Sequence, residues 1–289
     1  MEIKKLILIL KYVPFVRYYW NKFKASKEKE LAHMQKIAYY QTFSNFCYGC
    51  FWGEFNSFED ACAKAPKTKS LNWNSKEQAE WERDQFNLKF SKIESFDYPV
   101  LHWISKINKN YKKQLNFFDF GGGLGNHYYA YKKALPELAI RCWKVCDVPL
   151  ITKHGIEFKI KNNAKEIDFT NCIDQEFKAD VFLASGSLQY VDELKPTFFL
   201  KSFATYPRYI IINRIPLLTE NHKPVITLQN LHNSFAPMRT YNFGEFFSNF
   251  KYYGYEILDI WKDFSSNCKI PEETKFYIPY YHGVCMKLH

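Results

Sequence analysis

No stretch of the 289 residues is apolar for the roughly 20 positions that a membrane-spanning helix needs. The best candidate, residues 4–19 (KKLILILKYVPFVRYY), is too short and is interrupted by Lys11. No small-residue cleavage site follows it, so it is expected to be neither a span nor a signal peptide. A run of consecutive basic residues is also missing, as are RNP-type and C2H2 motifs. The net charge of +10 therefore carries no expectation of a specific nucleic-acid partner. Phosphorylated substrates and anionic lipid remain compatible with it, and the basic segment 4–19 suits peripheral contact with such a surface or packing on the protein's own core. The eight cysteines lack the regular spacing of a disulfide framework, and free thiols in the cytoplasm are expected. The single CxxC, Cys47 to Cys50, has no second pair at zinc-ribbon spacing, and no carboxylate–histidine cluster stands at ligand spacing, so no metal is expected. Internal repeats and low-complexity segments are absent. Nothing in the sequence bears on oligomeric state.

Glycine is scarce as well, with 11 residues in all, and four of them fall between positions 121 and 125. They close the stretch Phe117-Phe118-Asp119-Phe120-Gly121-Gly122-Gly123-Leu124-Gly125, an apolar run that ends in an acid and opens into a turn. A buried strand, a glycine turn and then the Tyr128-Tyr129-Ala130-Tyr131 segment read as the first βα step of a nucleotide-cofactor fold. A composition of 47% hydrophobic and 24% charged residues is globular, and the length suffices for one large α/β domain with an added segment. The 19% aromatic content, with 27 Phe and 21 Tyr, fills cores and also lines pockets for flat or sugar-like ligands.

The chain before the turn reads as mainly helical. Ser57 is placed to cap a short helix, residues 66–74 form a polar loop, and Ser75 with Gln78 makes a capping-box signature for a helix reaching about residue 93. Pro99 starts a further helix over 100–107. After the turn, strands are expected at 141–147, 167–169, 180–184 and 209–213, with a helix-like stretch at 194–203. A long polar connection then leads to a helix at 243–250 and two last strands at 256–264 and 276–288. The division expected is residues 1–98 as a helical region lidding the acceptor side and residues 99–289 as the cofactor-binding domain.

The turn does not have the GxGxxG spacing of a dinucleotide site, because Asn126 stands where the third glycine would be. Asp119, Gly121, Gly123 and Gly125 instead follow acid-x-Gly-x-Gly-x-Gly, which resembles motif I of the class I S-adenosylmethionine-dependent methyltransferases. The resemblance implies that the glycines admit the amino-acid and ribose parts of the cofactor and that the acid holds the loop and the methionine end. Asp147, 22 residues after Gly125, ends a strand where an acceptor takes both ribose hydroxyls. Asp168 and Phe169 end the next strand, where this class often contacts adenine. Trp81-Glu82-Arg83-Asp84, Ser185-Gly186-Ser187-Leu188-Gln189-Tyr190, Asn213-Arg214-Ile215-Pro216 and Thr227-Leu228-Gln229, taken with the glycine stretch, resemble a bacterial family described as methyltransferases whose members often sit among surface-polysaccharide genes. The chain departs from that family at Asn126-His127, where small hydroxyl residues are expected.

The fold implied is α/β, a Rossmann-like class I methyltransferase fold with a seven-stranded, mostly parallel sheet. The activity implied is methyl transfer from S-adenosylmethionine to a small-molecule or glycan acceptor, at an oxygen of a sugar, nucleotide-sugar or glycan precursor. Ser185 and Gly186 would present backbone to the methionine end, while Gln189 and Tyr190 orient the acceptor or merely cap and pack a helix start. Arg214 clamps an anionic group or makes a surface ion pair. His127, His222 and His232 are the candidates for a general base, which is worth roughly 10²- to 10⁴-fold. Of Glu82, Arg83 and Asp84, one or two are expected to meet the catalytic domain, as an ion-paired clasp or as part of the acceptor pocket. The Asn/Asp-Pro-Pro-aromatic signature of nucleic-acid amine methylation is missing. Two rival readings are a non-catalytic protein of the same fold docking on a membrane or glycan-assembly partner, and a nicotinamide-dependent sugar oxidoreductase. The second is disfavoured by the glycine spacing and by the lack of a Tyr-x-x-x-Lys pair.

Overall fold

The computed structural model describes residues 14–111, 113–173, 175–218, 222–271 and 276–289. The chain divides into two units, Met1–Cys47 and Tyr48–His289. The described part of the first is dominated by one helix, α1 (Pro14–Asn45), whose surface carries the exposed rings of Tyr18, Tyr19, Trp20 and Phe23 and the ion pairs Lys24–Glu28 and Lys27–Glu30. Residues 4–13 of the basic segment lie outside the described residues. No helix among the described residues is long and apolar enough to cross a membrane.

In the second unit the elements run β1 (Phe51–Phe55), α2 (Phe58–Lys64), β2 (Ser70–Leu71), α3 (Lys76–Lys89), α4 (Tyr98–Asn110), β3 (Leu115–Phe120), α5 (Asn126–Ala134), β4 (Ile140–Cys146), α6 (Pro149–Lys161), β5 (Ile167–Thr170), β6 (Val181–Ser185) and β7 (Tyr209–Ile215). There follow β8 (Leu217–Leu218), β9 (Ile226–Asn230), β10 (Ser234–Arg239), β11 (Tyr241–Asn242), α7 (Phe243–Tyr252), β12 (Tyr255–Asp263), β13 (Cys268–Lys269), β14 (Tyr277–Ile278) and β15 (Tyr281–Leu288).

Seven strands form the central sheet in the order β12-β15-β7-β6-β3-β4-β5. The five strands from β7 to β5 are parallel, β15 lies antiparallel beside β7, and β12, antiparallel to β15, runs in the same direction as the five. This is the expected Rossmann-like α/β architecture with a seven-stranded, mostly parallel sheet. The chain enters the sheet at β3, winds out to β5, then crosses back to β6, so the strand order reverses between β3 and β6. At that reversal the connections leave in opposite directions and open a crevice at the carboxyl ends of the strands.

Alternation along the strands explains why both faces are covered. Phe117, Leu183 and Ile211 face the layer of α4 and α5, while Phe118, Phe182, Ala184, Ile210 and Ile212 face α7 and the 198–203 segment. A one-residue slip would exchange the two sets, so burial on both faces fixes the register. The rings of Phe182 and Phe199 stack 3.8 Å apart, and both are fully buried. Phe199→Ala is expected to lower unfolding free energy by about 3–5 kcal/mol, which denaturant titration followed by circular dichroism would measure.

The departures from expectation are concentrated in the cap. The polar connection after β7 contains β8 to β11, and β9 and β10 pair antiparallel as a hairpin. β1 joins the hairpin at one edge and β2 at the other, giving the sheet β1-β9-β10-β2. The stretch read as a loop at 66–74 thus contains a strand, and this four-stranded cap sheet joins segments about 155 residues apart. Residues 194–203 contribute only a 3-10 segment, Phe198–Ser202. Ser57 caps α2 as expected, accepting from the Asp60 amide at 3.0 Å. Ser75 likewise accepts from the Gln78 amide at 3.3 Å, but the Gln78 side chain turns away from the box to Glu82 and Ser234. Cys47 and Cys50 are disulfide-bonded, against the free thiols expected of them, and the other six cysteines are free.

Candidate active site

The crevice is floored by the glycine turn, and each glycine there has its own reason. At Gly121 (φ +69°) an added Cβ would lie 2.3 Å from the Ser187 Cβ, and at Gly122 it would lie 2.4 Å from the Asp119 carboxylate. These two positions are closed by packing. Gly123 (φ +61°) differs, because a Cβ there would meet nothing nearer than 3.6 Å; Gly186 (φ +69°) on the facing β6 turn is equally open, at 3.7 Å. What glycine leaves at these two places is bare backbone and left-handed geometry. Gly125, also left-handed, packs closely on Ile167.

Asp147, just past β4, is bound to this loop. Its Oδ2 accepts from the Gly123 amide at 2.8 Å and its Oδ1 from the Val148 amide at 2.7 Å. Burial pushes its carboxyl up to about 6, with the Asp119 charge adding to the rise and the two amides opposing it. Asp168 is placed differently from the expectation. It is exposed and ion-paired with Lys159 of α6 at 3.1 Å, so strand alternation turns it away from the crevice. Phe169, its neighbour, points the other way and packs between Gly125 and Gly155.

Asp119 lies beneath the loop, fully buried. It accepts from Trp143 Nε1 at 3.0 Å and pairs with His127 Nδ1 at 3.0 Å. Burial works against the charged form of His127, but the Asp119 field and hydrogen bond outweigh it, so the imidazole is raised above its ordinary value. With Nδ1 committed to Asp119, His127 locks the first turn of α5 to β3.

At the far side of the crevice, Ser185, Gly186, Gln189, Tyr190 and Arg214 come together. The buried side chain of Asn213, which sequence reasoning passed over, ties this region down. It donates to the Phe96 carbonyl (3.0 Å) and Ser185 Oγ (3.3 Å), and accepts from Trp261 Nε1 (3.0 Å). Arg214 is in the left-handed region at φ +57°, a conformation that costs a non-glycine residue about 1–3 kcal/mol and clusters at functional sites. Its guanidinium lies 4.3 Å from the Phe96 ring centroid, bonds Ser266 Oγ at 3.1 Å and stands 3.6 Å from the Asp263 carboxylate. Gln189 is buried, with Nε2 on the Arg214 carbonyl at 3.4 Å and Oε1 without a hydrogen-bond partner among the described residues. The Tyr190 hydroxyl donates to Gln229 Oε1 at 2.5 Å. Burial raises its pKa far above the ordinary value, which makes it a hydrogen-bond donor and a poor base.

Trp81 and Glu82 of α3 reach the cap, while Arg83 pairs with its neighbour Asp84 at 3.1 Å on the surface. Trp81 stacks on His232 at the tip of the β9–β10 hairpin, with ring centroids 5.1 Å apart and planes at 20°. Tyr48 approaches both, at 5.9 and 6.0 Å. Loss of water raises the Tyr48 hydroxyl, with Glu82 adding to the rise and Arg214 opposing it. His222 does not join the group. It is exposed and borders a separate hollow of about 350 Å³ with Leu217, Phe243, Tyr280 and His282. Among the described residues there is no cluster suited to a metal ion.

No family model matches the sequence, and no curated protein matches it. Among solved structures, the chain is similar to an S-adenosylmethionine-dependent methyltransferase from Clostridium acetobutylicum, with 12% identity, 72% of this chain and 98% of that chain covered, and a TM-score of 0.47. It is similar also to the 1,6-didemethyltoxoflavin-N1-methyltransferase of Burkholderia thailandensis, whose structure has bound 1,6-didemethyltoxoflavin and S-adenosylhomocysteine, with 12% identity, 73% and 89% covered, and a TM-score of 0.42.

Proposed function

We propose that the protein is an S-adenosylmethionine-dependent methyltransferase acting on an oxygen of a small sugar, nucleotide-sugar or glycan precursor. One observation carries the cofactor half: a half-buried carboxylate, Asp147, pinned to the open glycine Gly123 at the point where the strand order reverses. The donors and acceptors there suit the cofactor. Asp147 would take the ribose hydroxyls, the bare backbone at Gly123 and Gly186 would face the amino-acid end, and Phe169 would lie toward the adenine. The resemblance of the glycine stretch and the four other segments to the surface-polysaccharide-associated family supports the acceptor half.

S-adenosylmethionine, when bound, supplies an electrophilic methyl group on a sulfonium. The protein's own task is then to align an acceptor oxygen and keep water out. Gln189 Oε1, buried and without a partner among the described residues, would accept from an acceptor hydroxyl. Arg214 and Tyr190 would fix its orientation.

Calorimetric titration with S-adenosylmethionine and S-adenosylhomocysteine tests the reading, and absence of binding by either ligand overturns it. Saturable binding is expected for both. Asp168→Ala is expected to leave those affinities within about twofold, since an exposed ion pair is worth only about 0–1 kcal/mol. Transfer of a labelled methyl group to a panel of nucleotide sugars tests the acceptor.

A further inference from the structure

The hairpin tip of the cap holds a feature that the methyl-transfer site does not require. His232 sits at φ +90°, a positive-φ backbone that is uncommon for a residue other than glycine, although histidine enters that region more often than most. It is held from three directions. Its amide donates to Asn230 Oδ1 at 3.0 Å, its Nδ1 lies 3.1 Å from Asn233 Oδ1, and its ring stacks on Trp81. Such over-determination of a strained residue marks a place where geometry matters more than stability. Tyr48 closes the group edge-on to His232 and is 63% exposed, so aromatic surface faces solvent, and Glu82 follows Trp81 on α3, where its carboxylate accepts from Gln78 Nε2 at 3.2 Å and raises the Tyr48 hydroxyl.

We infer that Tyr48, Trp81 and His232, with the Glu82 carboxylate at their edge, form a platform that binds a pyranose ring of the acceptor. The inference rests on the methyltransferase reading and names the acceptor subsite. Aromatic faces take the apolar C–H face of a sugar, and a carboxylate, which accepts about four hydrogen bonds and donates none, takes vicinal hydroxyls. A cationic ligand is disfavoured, because Trp81 and His232 already cover one face of each other and because Arg214 and a net charge of +10 repel it. A purely apolar ligand is disfavoured by the polar groups of Glu82 and Asn233.

Saturation-transfer NMR on the full chain, with methyl glucopyranoside and methyl galactopyranoside against adenosine and choline, tests the platform. S-adenosylhomocysteine is titrated into the same samples. At least one glycoside is expected to receive saturation on its ring C–H protons. Its affinity should fall about tenfold in Trp81→Ala and in the isosteric Glu82→Gln. The second variant carries the test if the first does not fold. Preference for choline, preference for adenosine once S-adenosylhomocysteine saturates the crevice, undiminished glycoside binding in both variants, or no glycoside binding by protein that binds S-adenosylhomocysteine would overturn the platform and leave the cofactor reading standing. Glycoside binding without S-adenosylhomocysteine binding would uphold the platform and overturn the methyltransferase reading. Failure of both ligands to bind would overturn both.

Discussion

Replacing Asp147 by alanine is expected to weaken S-adenosylhomocysteine binding about a hundredfold, because hydrogen bonds to a charged acceptor are worth roughly 1.5–3 kcal/mol each. The wild-type protein should also show a pH signature that the variant lacks. Burial lifts the Asp147 carboxyl to about 6, and ribose hydroxyls favour its ionised form. Affinity should therefore be level above about pH 6 and fall about tenfold per pH unit below it. Calorimetry between pH 5 and 8 reads this directly, and a flat wild-type profile would remove Asp147 from the ribose position. The sign for folding is opposite. A carboxyl raised above its unfolded value binds its proton more tightly in the folded state, so its contribution is fully present below about pH 4 and is lost as pH rises through about 6. At neutral pH the ionised group costs the unliganded protein up to about 3 kcal/mol, and ligand should raise the melting temperature more than at pH 5.

The second large effect concerns Asp119. Asp119→Ala leaves the Trp143 indole N–H and the His127 imidazole without their acceptor in a fully buried place. Breaking a buried charged pair by removing one partner typically costs about 3–5 kcal/mol. Guanidinium titration is expected to show a loss of that size. Asp119→Asn keeps the volume and isolates the electrostatics. With the carboxylate gone, burial is the largest remaining influence on His127, joined by Arg214 and opposed by Asp97, so its titration by NMR should move from above its ordinary value to below it. In the wild type the raised imidazole stabilises the fold below its unfolded value of 6.5, and this contribution is lost as pH rises through the higher folded value. An imidazole that stayed raised in Asp119→Asn would show that another group holds it.

The centre of the sheet was legible because β6 and β7 are apolar runs bounded by turns, and their burial on both faces leaves no ambiguity of register. The glycine turn was legible because spacing alone separated it from a dinucleotide fingerprint. Asp147 was placed correctly beside that turn, since the first residue after a parallel strand must lie at the crevice. Asp168 was misread because a position at a strand end does not say which face the side chain takes; Phe169, one residue on, has the inward face. His127 looked like a candidate base from its place at a helix start, but its partner lies eight residues earlier on a different element. The cap escaped the sequence for a different reason. β2 has two residues, β10 contains Pro237, and the pairing of Trp52 with Leu228 spans a separation that no local pattern reports. His232 stood out only as a lone histidine, and its meaning came from Trp81 and Tyr48.

That separation in the cap has a consequence for biosynthesis. β1 and β2 leave the ribosome without their partners, because β9 and β10 follow about 155 residues after β2. At roughly 5–20 residues per second, the N-terminal strands wait on the order of ten seconds with unpaired edges. The crevice at the strand reversal can assemble from β3 to β7 during that interval, but the four-stranded cap sheet cannot. A nascent chain stalled before Ile226 would therefore present a folded central sheet with two sticky strands beside it, and this is the stage at which a chaperone would have most to shield.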